Sequence, residues 1–308
     1  MSTLQRLKSH LRKFPPLYRF GARLKNLFMK KPIFGMTTFT EQEYFFRYGR
    51  DTYSGKGEVV DLGSWLGSTT IPLVRGCLKN PHFATKGRKI YAYDMFIWSS
   101  WMNASVAGSS LQGQYKEGDR FLDEFERRTK KFASHLEICE GDIVSLGWNG
   151  KPIEFLLIDA MKSWELANAI KAHFFKSLIP NVSVILHQDY AHYYTPWIHL
   201  MQFRLREYFS YLEEVANSTS VVFKYTSQLP EELLQKQYSF ADFSDEEVDE
   251  AFDYSFSFCS REKHSHIAAA KVMTYVHQNR AAKARETAER CLERGIPSER
   301  AFKCLEAT

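Results

Sequence analysis

Val59-Val60-Asp61-Leu62-Gly63-Ser64-Trp65-Leu66-Gly67-Ser68-Thr69-Thr70 is the stretch on which the fold turns. A short aliphatic run ends in an acid and a glycine. Three residues later a second glycine opens a segment of helical texture. Gly63 lets the chain turn sharply and lets a ligand approach the backbone. Gly67 permits close packing where the helix begins, and Ser68, Thr69 and Thr70 fall where a helix has unpaired N–H groups. An open parallel sheet binds its ligand beyond the carboxyl ends of its strands, so this loop is the natural binding place.

The same texture repeats outward from the loop. GEVVDLG (57–63), RKIYAYD (88–94), HLEICEGD (135–142), IEFLLID (153–159) and VSVILHQD (182–189) are short runs ended by a polar residue or glycine. Segments long enough for a crossover helix separate them, such as SWELANAIKAHFFKSLI (163–179). Alternation of this kind predicts α/β architecture, a Rossmann-like sheet that is mostly parallel with helices on both faces. A helix near Trp197–Phe209 follows, then two strands, Tyr211–Val215 and Ser220–Tyr225, spaced to pair as an antiparallel hairpin. The expected sheet has seven strands.

Both ends differ from this middle. The first forty residues hold nine Lys or Arg and no acid before Glu41. Leu4, Leu7, Leu11 and Leu17, Phe20, Leu24, Phe28 recur at helical spacing on either side of Pro15-Pro16, which predicts two short basic amphipathic helices. They would either pack on the body of the protein or a second copy, or touch an anionic membrane surface peripherally. Thr40 with Glu43 is spaced as a helix cap. After Tyr225 the pattern turns helical: seven acids fall between Asp242 and Asp253, and Ser244 with Glu247 is spaced as a second cap. We therefore divide the chain into a basic segment (1–39), a sheet domain (40–228) and a helical C-terminal extension (229–308).

Composition excludes several classes. Of 308 residues, 44% are hydrophobic and 25% charged, ordinary globular values. No apolar run approaches the ~20 residues a membrane helix needs, and no secretory leader is expected. Five scattered cysteines without a C-x-x-C pair argue against a zinc module and fit a reducing cytoplasm. A net charge of +5 is too mild to indicate nucleic-acid binding.

The chemistry is read from acids at strand ends. The loop lacks the full G-x-G-x-x-G of a dinucleotide site. Asp61 would repel a pyrophosphate but suits the ammonium of a methionine moiety. Asp94 can accept both hydroxyls of a ribose, Asp142 can take an adenine amino group, and Asp159 lies beside the reacting centre. One acid at a strand end is an ordinary turn residue. Four in register behind a Gly-x-x-x-Gly turn are harder to ascribe to chance. His187, His192 and His199 flank Asp189. His192, in the loop AHYYTPW, is the candidate general base. His264 and His266 read as surface residues. MFIWSSWMN (95–103) is a candidate wall over the ligand.

On these residues the chain resembles the class I S-adenosylmethionine-dependent methyltransferases. DLGSWLGSTT, IYAYD and LLIDAMKSWELANAIKAHFFKSLIPNVSVILHQDY are similar to motifs of the macrocin O-methyltransferase and cephalosporin hydroxylase-like group, over roughly residues 40–228. The resemblance implies O-methylation of a sugar or other hydroxylated small molecule. S-adenosylmethionine would be bound by Asp61, Gly63, Ser64, Trp65, Gly67, Ser68, Asp94 and Asp142, and Asp159 and His192 would serve as catalytic groups. It also implies a divalent cation, Mg²⁺, on Asp159, Gln188 and Asp189. Here the chain departs from the group: Gln188 replaces a carboxylate and brings no charge. The group's Asp–Gly–Asp sugar-binding stretch is absent. Asp159 is followed by Ala160-Met161-Lys162, where Lys162 can supply positive charge instead. The alternatives are an S-adenosylmethionine-binding scaffold without transferase activity, a nicotinamide-dependent Rossmann enzyme, and a nucleic-acid methyltransferase. The glycine pattern disfavours the nicotinamide reading.

Overall fold

The computed structural model describes residues 32–85 and 87–306. The two basic helices expected before residue 31 lie outside them. Seven strands form one sheet: β1 (Glu58–Leu62), β2 (Ile90–Asp94), β3 (Leu136–Glu140), β4 (Ile153–Ile158), β5 (Val184–His187), β6 (Phe209–Glu214) and β7 (Val221–Tyr225). Their order is β3-β2-β1-β4-β5-β7-β6. β1 to β5 are parallel, while β7 runs antiparallel between β5 and β6. This is a Rossmann-like α/β fold, mostly parallel and covered on both faces by helices. The strand order reverses between β1 and β4, so the loops after those strands part there and leave a crevice.

Alternation along the strands sorts side chains to two cores. Val60, Leu62, Leu156, Ile158 and Ile185 face one layer. Val59, Phe155, Leu157, Val184 and Leu186 face the other. The second layer is closed by α1 (Phe39–Arg47) and α2 (Thr70–Cys77), which place Tyr44, Phe45, Leu73 and Val74 on it. The first is closed by α3 (Trp164–Phe174), α4 (Pro196–Arg204), α5 (Asp245–Phe258) and α6 (Arg261–His277). Two further helices, α7 (Ala281–Glu293) and α8 (Glu299–Glu306), pack on α6. The C-terminal helices thus share one apolar cluster with β4 and β5. Among the described residues no helix is long and apolar enough to cross a membrane.

Several boundaries move from their expected places. The cap of α1 is Thr38 with Glu41, not Thr40 with Glu43. Both pairs have the capping-box spacing, and the Thr40 hydroxyl donates instead to the Ala216 carbonyl at 2.7 Å. The helix expected to reach Phe209 stops at Arg204, and β6 starts at Phe209 because Phe209 pairs with Tyr225. The Ser244–Glu247 capping box is present as read.

Candidate active site

The glycine loop is built on backbone geometry that side chains disfavour. Gly63 and Gly67 have φ of 94° and 83°, and Trp65 has φ of 39°. A Cβ on Gly63 would stand 3.0 Å from the Asp159 carbonyl carbon, so the loop after β1 touches the end of β4. The Gly63 and Ser64 N–H groups both donate to the Tyr93 carbonyl, which fastens the loop to β2. Asp94 completes the fastening: its two oxygens accept from the Trp65 N–H at 2.8 Å and the Phe96 N–H at 2.7 Å. Burial raises the Asp94 carboxyl above the ordinary range, and the Phe96 and Trp65 N–H groups oppose the rise.

Asp61 lies beneath this loop, fully buried. One oxygen accepts from the Thr69 hydroxyl at 2.8 Å and the Thr70 hydroxyl at 2.6 Å; the other has no partner. The two threonines therefore spend their hydroxyls on Asp61 rather than on the first turn of α2. Burial pushes the Asp61 carboxyl up to about 6, with the Thr70, Thr69 and Ser64 hydroxyls opposing.

Above the loop is a cavity of about 1220 Å³. It holds Gly63, Trp65, Asp94 and Asp142 from the β1–β3 side, and Asp159, Lys162, Gln188, Asp189 and His192 from the β4–β5 side. The strand-end acids of β2, β3 and β4 thus meet in one space. Asp61, Ser64, Gly67 and Ser68 do not line it; they are buried under the loop. Ser68 is covered by the segment before α1, where a Cβ on Gly35 would strike its side chain and the Thr37 hydroxyl reaches its carbonyl. Asp142 also caps a short turn of helix by accepting from the Val144 N–H at 3.0 Å. In the 95–103 stretch Trp98 is core, while Met95 and Trp101 are exposed at the cavity mouth.

The β4–β5 side carries the charge. Lys162 donates to Asp159 at 2.7 Å and also to Asp189. Burial lifts the Asp159 carboxyl well above the ordinary range, with Lys162 opposing and Asp189 adding to the rise. Loss of hydration in the site works against the Lys162 charge, although the side chain keeps 48% exposure, and the two carboxylates more than restore it. Gln188, buried to 6% exposure, leaves its side-chain oxygen without a partner.

His192 lines the cavity, but its Nδ1 accepts from the Tyr194 N–H at 3.3 Å. A backbone N–H can only donate, so neutral His192 carries its proton on Nε2 and offers the cavity a donor. The Nδ1 lone pair of this ring is thus already engaged. His187 and His199 are core residues. Burial lowers them to about 4 and about 3, and the His199 ring is held by the Ser255 hydroxyl at 2.8 Å.

Sequence reading missed the contribution of α6. Glu262, Lys263 and His266 line the cavity. His266 is half-buried rather than a surface residue, its Nδ1 has no partner, and burial lowers it to about 4. The available signal was their spacing: 262, 263 and 266 share one face at the polar start of a helix that is apolar from Ile267 onward.

A divalent ion does not fit the expected ligands. Among the described residues no group of three or more His, Cys, Asp or Glu side chains could hold a metal. Lys162 already occupies the space between Asp159 and Asp189.

No protein-family model matches the chain, and no curated protein matches it. Among solved structures it is similar to CalS11, a calicheamicin methyltransferase, with a TM-score of 0.44 at 13% identity over 70% of this chain and 97% of that one. A methyltransferase from Geobacter sulfurreducens gives 0.38 at 13% identity over 68% and 96%. CalO1, a methyltransferase in calicheamicin biosynthesis solved in its SAH-bound form, gives 0.34 at 12% identity over 73% of this chain and 61% of that one. Likeness at this level says nothing of activity or substrate.

Proposed function

We propose that the chain is an S-adenosylmethionine-dependent methyltransferase acting on a hydroxyl of a sugar or other small molecule. The observation that carries this reading is the meeting of Asp94, Asp142 and Asp159, from three successive strand ends, in one cavity floored by the Gly63 turn. A single small-molecule pocket occupies roughly 300–1,000 Å³. At about 1220 Å³ this one has room for a nucleoside and an acceptor side by side.

The residues suit the methyl donor. The Gly63 turn lines the cavity with backbone alone, and Trp65, whose indole N–H is buried and without a partner, lines it too. Asp94 would hold the ribose hydroxyls, Asp142 the adenine amino group, and Asp61 would supply negative charge beneath the ammonium. When bound, the donor supplies an electrophilic sulfonium methyl. The chain positions the acceptor oxygen and receives its proton at the Asp159 carboxylate, whose burial makes it a stronger base than an ordinary one. Lys162 and the His192 N–H face the oxygen as charge builds on it. Holding two reactants side by side in one cavity adds several kcal/mol.

Calorimetry with S-adenosylhomocysteine, then methyl release over a panel of hydroxylated acceptors, tests the reading. Absence of cofactor binding removes it; binding without turnover on any acceptor reduces it to a scaffold.

A further inference from the structure

We propose that the Lys162 ammonium is the resident cation of this site, standing where a divalent ion would lie between the β4 and β5 carboxylates, so that transfer proceeds without metal. The last clause rests on the methyltransferase reading; the displacement of the ion does not.

Lys162 is placed by more than its two ion pairs. Its N–H donates to the Ala160 carbonyl at 2.9 Å, which folds the chain back so that the side chain returns over Asp159 three residues earlier. Between them Met161 is buried at 2% exposure, and its carbonyl accepts the Trp197 indole N–H at 2.7 Å. The backbone carrying Lys162 is thereby pinned to α4, and the ammonium meets both Asp159 and Asp189. An ordinary surface lysine has no such support.

The surrounding donors are those a hard dication prefers. Asp159 and Asp189 offer carboxylate oxygens, and Gln188, whose buried side-chain oxygen has no partner, lines the same cavity. With Lys162 present, its charge repels a dication and engages both carboxylates. Without it, three oxygen ligands face an uncompensated negative site. An ammonium is also a compact point charge with three donors. Two go to the carboxylates, and the third can reach an acceptor oxygen.

The protein, its Lys162→Ala and Lys162→Met variants, and Lys162→Ala with Asp189→Asn are titrated with Mn²⁺ and followed by electron paramagnetic resonance. Circular dichroism establishes which variants are folded; two replacements are made so that a folded one can be read. The expected result is that Lys162→Ala or Lys162→Met binds Mn²⁺ at least about 100-fold tighter than the parent, the range that ligand charge commonly spans. Adding Asp189→Asn should remove the gain. A parent protein that binds Mn²⁺ as tightly as the variants, or folded variants that gain nothing, overturns the proposal. This readout needs no turnover, so a chain that fails to bind S-adenosylhomocysteine can still pass or fail it. Where transfer is measured, the parent rate should not change with a chelator, and loss of the rate would contradict metal-free transfer.

Discussion

The two ends of the cavity differ in how far the protein satisfies their polar groups. At the β1–β2 end the protein supplies most partners itself, leaving one Asp61 oxygen and the Trp65 indole N–H unpaired. Asp94 accepts two backbone N–H groups, and one Asp61 oxygen takes two hydroxyls. At the β4–β5 end the Gln188 oxygen and His266 Nδ1 are left without partners, and two carboxylates share one ammonium. Internal bonding preorganises a loop for a ligand that is always the same. Unpaired groups are costly unless something else pairs them; on the proposed function, those of the β4–β5 end would meet the acceptor.

The largest expected effect breaks the first end. Gly63→Val places a β-branched side chain at positive φ, 3.0 Å from the Asp159 carbonyl carbon. It should cost several kcal/mol of stability and abolish S-adenosylhomocysteine binding by calorimetry. Retention of parental affinity would mean that the turn is not the cradle. Next in size, Asp159→Asn separates the ends. Cofactor affinity should stay within about threefold, while methyl release falls about 10²- to 10⁴-fold, the usual worth of a positioned base. A variant with the parent's rate would strip Asp159 of its role.

The same contrast explains what could be read from sequence. The glycine loop and strand-end acids were legible because they are local: strand, turn and helix follow within twelve residues, and the strand period places each acid. The Lys162 bridge was half legible, three residues from Asp159, but its second partner Asp189 comes from the next strand. For Glu262, Lys263 and His266 the sequence shows only a shared polar helix face; the packing of α6 against β4 and β5 is what carries that face back to a site begun two hundred residues earlier. Asp61 was assigned to the cavity by its place in the motif. Its alternation on β1 and the hydroxyls of Thr69 and Thr70 set it below the loop instead.

That placement yields the third effect. The Asp61 carboxyl sits near 6 in the fold, above its ordinary value near 3.8. A raised carboxyl favours the folded state when protonated. Its contribution is therefore complete below pH 3.8 and lost as pH rises through 6, a change of roughly 3 kcal/mol at most. Asp61→Asn cannot ionise. Its melting temperature relative to the parent should rise by several degrees between pH 4.5 and pH 7.5, without ligand. If the difference is flat across that range, the buried charge is not the cause. The stabilisation of the parent by S-adenosylhomocysteine should grow over the same window, as the ionised form becomes available to an ammonium, and the variant should lack that growth.

The smallest expected effect sharpens the second end. Gln188→Leu replaces a buried acceptor that has no partner by an apolar side chain of similar volume. Removing an unpaired group is neutral to stabilising, so the variant should melt at or slightly above the parent, by about 1 kcal/mol. If Gln188 is kept for a ligand, the gain must come with a loss elsewhere. KM for the acceptor should rise about tenfold, with cofactor affinity unchanged, because the lost hydrogen bond is to the acceptor alone. A drop in stability would show that Gln188 is paired within the protein. An unchanged KM would show that its oxygen faces no acceptor, and the contrast between a largely self-satisfied end and an open one would not hold.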